Sequence, residues 1–99
     1  MIYEVADIVI KEGMGPKFEW GFAQSLPLFK RAAGCKSARL ERSVEDPERY
    51  LVVIGWQTLD DHVVGFRTSA DYTLWRELVG DFFAAPPVVD HTEVIVSGF

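Results

Sequence analysis

Cysteine is nearly absent from this sequence. A single one, Cys35, occurs in 99 residues, so no disulfide can close within the chain, and a cytoplasmic setting is expected. Long apolar runs are missing as well. None approaches the ~20 residues that a membrane span requires. The opening stretch, residues 1–10, has no basic segment and carries Glu4 and Asp7, so it is not expected to act as a secretory signal peptide. Positive charge is in deficit: 10 Lys and Arg against 15 Asp and Glu give a net charge of −5. That is the wrong sign for a nucleic-acid or anionic-membrane partner. The two histidines, His62 and His91, and the one cysteine are too scattered for a metal site. There is no glycine-rich nucleotide fingerprint, no P-loop and no evident Ser-His-Asp arrangement. Repeats, low-complexity tracts and linkers are also lacking, so residues 1–99 are expected to form one domain.

What is abundant is apolar and aromatic surface. Hydrophobic residues make up 48% of the chain and aromatics 13%, including three Trp and seven Phe. A single small core does not absorb so many rings, and the surplus is assigned to an interface or a ligand pocket.

The residue pattern predicts seven elements. Residues 2–10 are rich in β-branched side chains and read as a strand ending at Lys11-Glu12-Gly13. Met14-Gly15-Pro16 opens a helix whose apolar stripe is Phe18, Phe22, Leu26, Phe29 and Ala33. Pro27 is expected to kink that helix or split it near Ser25, and Gly34 to stop it. Residues 35–43 form a second strand with Ala38 and Leu40 inward and Arg39 and Glu41 outward. After the Glu45–Glu48 turn, residues 50–56 (YLVVIGW) form a third strand that is apolar on both faces and must be covered on both. Thr58 and Asp61 form a capping box for a short helix to about Arg67. Ser69 caps the next, whose stripe is Tyr72, Trp75, Leu78, Val79 and Phe82. Residues 88–97 are the last strand. The order β-α-β-β-α-α-β is that of an α+β, ferredoxin-like split βαβ fold with its second helix broken in two, around a four-stranded antiparallel sheet.

With these elements in place the chain resembles the antibiotic biosynthesis monooxygenase family, one branch of the dimeric α+β barrels. The likeness runs over essentially the whole chain. It is carried by Pro27-Leu28, Gly34-Cys35, Glu45-Asp46-Pro47-Glu48-Arg49-Tyr50, Trp56-Gln57-Thr58-Leu59-Asp60-Asp61-His62 and Phe66-Arg67-Thr68-Ser69. The resemblance implies a homodimer whose two sheets pack face to face, which would cover the second apolar face of strand three. It also implies a cofactor-independent reaction of O₂ with a small electron-rich aromatic such as a quinol, phenol or anthrone, needing neither flavin nor metal.

In the polyketide-modifying branch of that family, a Trp at the end of strand three lines the active site and an Arg on the later helix holds a substrate oxygen. Trp56 and Arg76 match them. Trp56 is equally readable as a core residue closing the barrel mouth, and Arg76 as a solvent-facing cation paired with an acid. His62 stands where that branch has a Tyr, and it is the candidate proton handler, against the plainer reading of a partly exposed helix histidine. Val52 replaces an Asn of that branch, removing one polar contact. The implied site is thus Arg76 and His62 for catalysis, with Trp56, Val52, Phe66 and Tyr72 binding the substrate. His91 reads as a structural strand histidine facing either the pocket or the dimer seam, and Asp7 as an acid on an open strand edge. A haem-handling branch of the family would use the positions of Asp7, Phe66 and Arg76, and all three depart from it; an arginine cannot replace a ligating imidazole. The competing functional class is a dimeric module that binds a small apolar or aromatic ligand without catalysis.

Overall fold

The computed structural model describes residues 1–99. Strand β1 (Ile2–Val9) is followed by helix α1 (Gly15–Lys30), strands β2 (Cys35–Arg42) and β3 (Arg49–Trp56), a π-helical segment (Asp61–Phe66), helix α2 (Ala70–Val79), a 3-10 turn (Gly80–Phe82) and strand β4 (Val88–Glu93). The four strands make one antiparallel sheet in the order β2-β3-β1-β4. This is the α+β, ferredoxin-like architecture expected from the element order. No helix is long and apolar enough to cross a membrane.

All helices lie on one side of the sheet. Side chains alternate along a strand, so β1 sends Glu4, Ala6 and Ile8 beneath the helices, while β3 sends Tyr50, Val52, Ile54 and Trp56. Phe18, Phe22, Leu28 and Phe29 of α1 and Trp75 and Val79 of α2 close this core. The other face of the sheet bears no helix. A shallow hollow there runs across Tyr3, Val5, Leu51, Val53, Thr92 and Val94. Strand β3 is therefore apolar on both faces, as its sequence shows, with one face covered by helices within the chain.

Two turns fix the helices. Gly34 adopts φ +78°, and a Cβ there would collide with the Asp61 carboxylate. That close approach lets the Gly34 carbonyl accept the Gln57 N–H at 2.7 Å, just before the capping box. The box itself is reciprocal: the Asp61 carboxylate accepts the Thr58 N–H at 3.1 Å, and the Thr58 hydroxyl accepts the Asp61 N–H at 3.2 Å. Ser69 caps α2 by accepting the Tyr72 N–H at 3.2 Å.

Four details differ from the sequence reading. Helix α1 is not split at Pro27; it runs on to Lys30, because the one bond that Pro27 forfeits, to the Ala23 carbonyl, is offset by the burial of Leu28 and Phe29 just beyond it. The stripe passes through buried Ser25 and Leu28, leaving Leu26 exposed; the Ser25 hydroxyl is satisfied by the Phe22 carbonyl at 2.6 Å. Leu78 likewise lies at the exposed margin of the α2 stripe. Strand β4 ends at Glu93, not Ser97. Glu93 pairs with Ile2, and β1 has no further residue to offer, so Val94, Ile95, Val96 and Phe99 are exposed. Finally, the segment after the capping box is π-helical, with the Arg67 N–H reaching the His62 carbonyl five residues back at 3.1 Å.

Candidate functional site

The most unusual group beneath the helices is a carboxylate. Glu4 shares the inward parity of Ala6 and Ile8, so β1 carries it into the core, where it is 7% exposed. The register sets it directly opposite His91 on β4. From β3, the Trp56 indole N–H donates to Glu4 Oε1 at 3.0 Å. From the π-helical segment, His62 Nε2 lies 3.3 Å from the same oxygen, and His62 Nδ1 is 2.8 Å from His91 Nε2. The π turn puts both His62 and Phe66 against the Trp56 ring, with centroids 5.4 and 5.5 Å away, and the imidazole is stacked at 15°.

Burial decides the charges here. Loss of hydration pushes the Glu4 carboxyl above its ordinary value, against the opposing pull of the Trp56 N–H and the Arg67 charge. His62 is lowered to about 4, first by burial and then by the charges of Arg67 and His91. His91 is lowered too, by burial and Arg67, with Asp90 opposing. With His62 neutral at pH 7, its 3.3 Å approach to Glu4 is a close polar contact, not an ion pair. The Trp56 N–H donates to Glu4, and one imidazole donates to the other across the His62–His91 contact, in the direction their tautomers set.

This group floors a cavity of about 230 Å³ between the sheet and α2. Glu4 and His62 form one side. Arg67, Tyr72, Trp75 and Arg76 form another, and Pro86 and Pro87 contribute to the rim. Arg76 places its guanidinium carbon 5.2 Å from the centre of the Phe83 ring, a cation–π contact that orients its head. A neutral base, a polarising cation and a semi-enclosed volume can together deprotonate an acidic substrate and hold the anion.

A sequence model of the family described as antibiotic biosynthesis monooxygenase matches residues 1–78. The chain belongs to the antibiotic biosynthesis monooxygenase family. It is 36% identical over 91 residues to the uncharacterised protein YczJ of Bacillus subtilis, covering 92% of this chain and 96% of that one. A Bordetella bronchiseptica crystal structure of a candidate antibiotic biosynthesis monooxygenase shares 48% identity at a TM-score of 0.95, covering 96% of this chain and 97% of that one. SnoaB, a cofactor-independent oxygenase from Streptomyces nogalater, superposes with a TM-score of 0.82 over 97% of this chain and 94% of its own; at 14% identity the likeness is one of fold.

Within this family member, the structure brings His62, Tyr72 and Arg76 to one cavity. Trp56, Val52 and Phe66 stand behind it, in the packed core, at 0%, 1% and 5% exposure. They support the site rather than line its surface. His62 is buried at 2%, not a partly exposed helix histidine. His91 faces inward, onto His62. Asp7 lies on a central strand, not an edge, and on the open face, where the Arg49 guanidinium grips its carboxylate at 2.7 Å. Glu4 was missed as a site residue. Its signal was there: Glu4, Ala6 and Ile8 share one parity, and two of the three are plainly apolar.

Proposed function

We propose that the protein is a monooxygenase that needs no cofactor and acts with O₂ on a small electron-rich aromatic of the quinol, phenol or anthrone type. The observation that carries this reading is that His62, Tyr72 and Arg76 line a single cavity in a member of the antibiotic biosynthesis monooxygenase family. The substrate's acidic O–H or C–H gives its proton to the Glu4–His62 pair. The electron pair stays on the ring system as an anion that Arg76 stabilises. The anion passes one electron to O₂, the radical and superoxide recombine with a proton as a carbon-bound hydroperoxide, and O–O cleavage with loss of water leaves one oxygen on the product. In this scheme the protein supplies orientation, exclusion of water and charge stabilisation. Tyr72 bounds the substrate, while Trp56, Val52 and Phe66 fix the wall behind it.

The working unit in this proposal is a homodimer of single-domain chains joined through the open sheet faces. Tyr3, Val5 and Leu51 are only part-buried on a face without helices, and the apolar residues after Glu93 lack any cover within the chain. Light scattering on a size-exclusion column should return twice the 11.2 kDa chain mass; a monomer at micromolar concentration would refute this arrangement. The catalytic reading is tested by oxygen uptake with a panel of quinols, phenols and anthrones, with chelator present and no flavin. Uptake above the background rate is expected for at least one class. Background rates throughout would leave the ligand-binding module as the better account. One observation already favours that second reading: His62 Nδ1 is hydrogen-bonded to His91 and Nε2 is packed 3.3 Å from Glu4, so neither ring nitrogen faces the cavity freely.

A further inference from the structure

The chain has six arginines, and they fall into two sets. Arg31, Arg39, Arg42 and Arg49 each sit against a carboxylate, those of Asp71, Glu41, Glu19 and Asp7 respectively. Arg67 and Arg76 have no carboxylate within ion-pair distance, although acids outnumber bases in the chain by 15 to 10. Both unpaired arginines line the same cavity. A third donor belongs with them. Trp75 also lines the cavity, is 6% exposed, and its indole N–H is the buried side-chain polar group that lacks any hydrogen-bond partner. A buried donor left unsatisfied is costly, and here it leaves this side of the cavity short of acceptors.

The opposite side of the cavity has the reverse chemistry. There Glu4 accepts hydrogen bonds, and Ala6 and Val89 give an apolar floor. The space is small. About 230 Å³ falls below the ~300–1,000 Å³ of pockets that take drug-sized ligands. It suits one ring rather than three fused ones.

We propose that the natural ligand of this cavity is a single-ring aromatic hydroxy acid, with its carboxylate held by Arg67 and Arg76 and its hydroxyl turned toward Glu4. This narrows the substrate class of the monooxygenase reading and rests on it for the reaction, though not for the binding. A planar carboxylate offers two oxygens to guanidinium donors, a match a neutral quinol does not make. The Trp75 N–H, buried and unsatisfied, adds to the shortage of acceptors around the arginine pair. The hydroxyl is then beside the group that takes its proton, across the cavity from the arginine pair.

The test is anaerobic calorimetric titration of the full chain with 4-hydroxybenzoate, its 2- and 3-isomers, phenol, and a neutral anthrone. At least one hydroxybenzoate should bind one per chain, on the order of tenfold or more tighter than phenol, the scale of a hydrogen bond to a charged group. Arg67→Gln and Arg76→Gln should each weaken the acid far more than phenol, removing most of that preference. Trp75→Phe should weaken the acid by a few fold, and circular dichroism melts of each variant confirm folding. Equal affinity for phenol and the acids, no binding of any acid, or Arg variants that keep the full preference would each overturn the proposal. The two readings fail separately. Tight binding of a hydroxybenzoate with no oxygen uptake removes the oxygenase and keeps the anion site. Uptake with a neutral quinol and no acid binding does the reverse.

Discussion

Strand β1 carries two carboxylates three residues apart, and they live in opposite worlds. Glu4 points under the helices, where its partners are an indole N–H and a neutral imidazole. Asp7 points to the open face, where a guanidinium grips it in solvent. Burial raises the first; the Arg49 hydrogen bond lowers the second, with burial opposing weakly. One step of strand parity thus separates a carboxyl poised to take up a proton from one that merely anchors a surface pair. This fold stores reactivity on the face where a polar group is desolvated and yet keeps a hydrogen bond.

Removing the two acids should separate the faces most sharply. Glu4→Ala leaves the Trp56 N–H without an acceptor and His62 without its partner in a packed interior. It should cost about 3 kcal/mol in urea unfolding, and Glu4→Gln, which keeps an acceptor, should recover much of it. Asp7→Ala should leave the midpoint close to that of the parent, since an exposed, salt-screened pair contributes little. Equal losses for the two would erase the distinction between the faces.

Acid should act on the helix side as well. His62 has an ordinary value of 6.5 and is lowered to about 4 in the fold, so the unfolded chain takes up its proton first. Its contribution is complete above pH 6.5 and falls as the pH drops toward 4, by about 3 kcal/mol in all. Glu4 runs the other way. Its raised value makes a contribution that is present below its ordinary 4.5 and is lost as the pH rises through the folded value. Urea midpoints at pH 7 and 4.5 should therefore differ for the parent chain. They should differ less for His62→Gln, which cannot take the proton. An unchanged pH slope in that variant would place the acid sensitivity elsewhere.

The smallest effect is expected from Asp7 under salt. Raising ionic strength should erase whatever difference separates Asp7→Asn from the parent, while leaving the Glu4→Ala deficit intact, because screening acts on exposed charges and hardly on buried ones. A Glu4→Ala deficit that also vanished with salt would mean that Glu4 is solvated.

Much of this scaffold is legible in the sequence. The capping box at Thr58 and Asp61 and the Ser69 cap are local chemistry, written in consecutive residues, and they appear as read. The parity of Val52 and Trp56 follows from strand geometry alone. Other features depend on pairing that no local pattern announces. His62 and His91 are 29 positions apart and meet only because β1 lies between β3 and β4 with Glu4 opposite His91. The same register ends β4 at Glu93, since its length is set by where β1 begins. Trp56, apolar and large, is indistinguishable in sequence as pocket wall or core; the Glu4 carboxylate waiting at its N–H decides for a buried ring that supports the site from behind.

The central claim is that the helix-side cavity is where an anion forms and is held. It is tested most directly by the turnover of Arg76→Ala in oxygen uptake, measured with whichever substrate the parent chain consumes. Loss of an oxyanion-holding donor predicts a fall on the order of 10²-fold in kcat with the chain still folded and of unchanged oligomeric state. A folded Arg76→Ala protein that turns over at the parent rate would contradict the account.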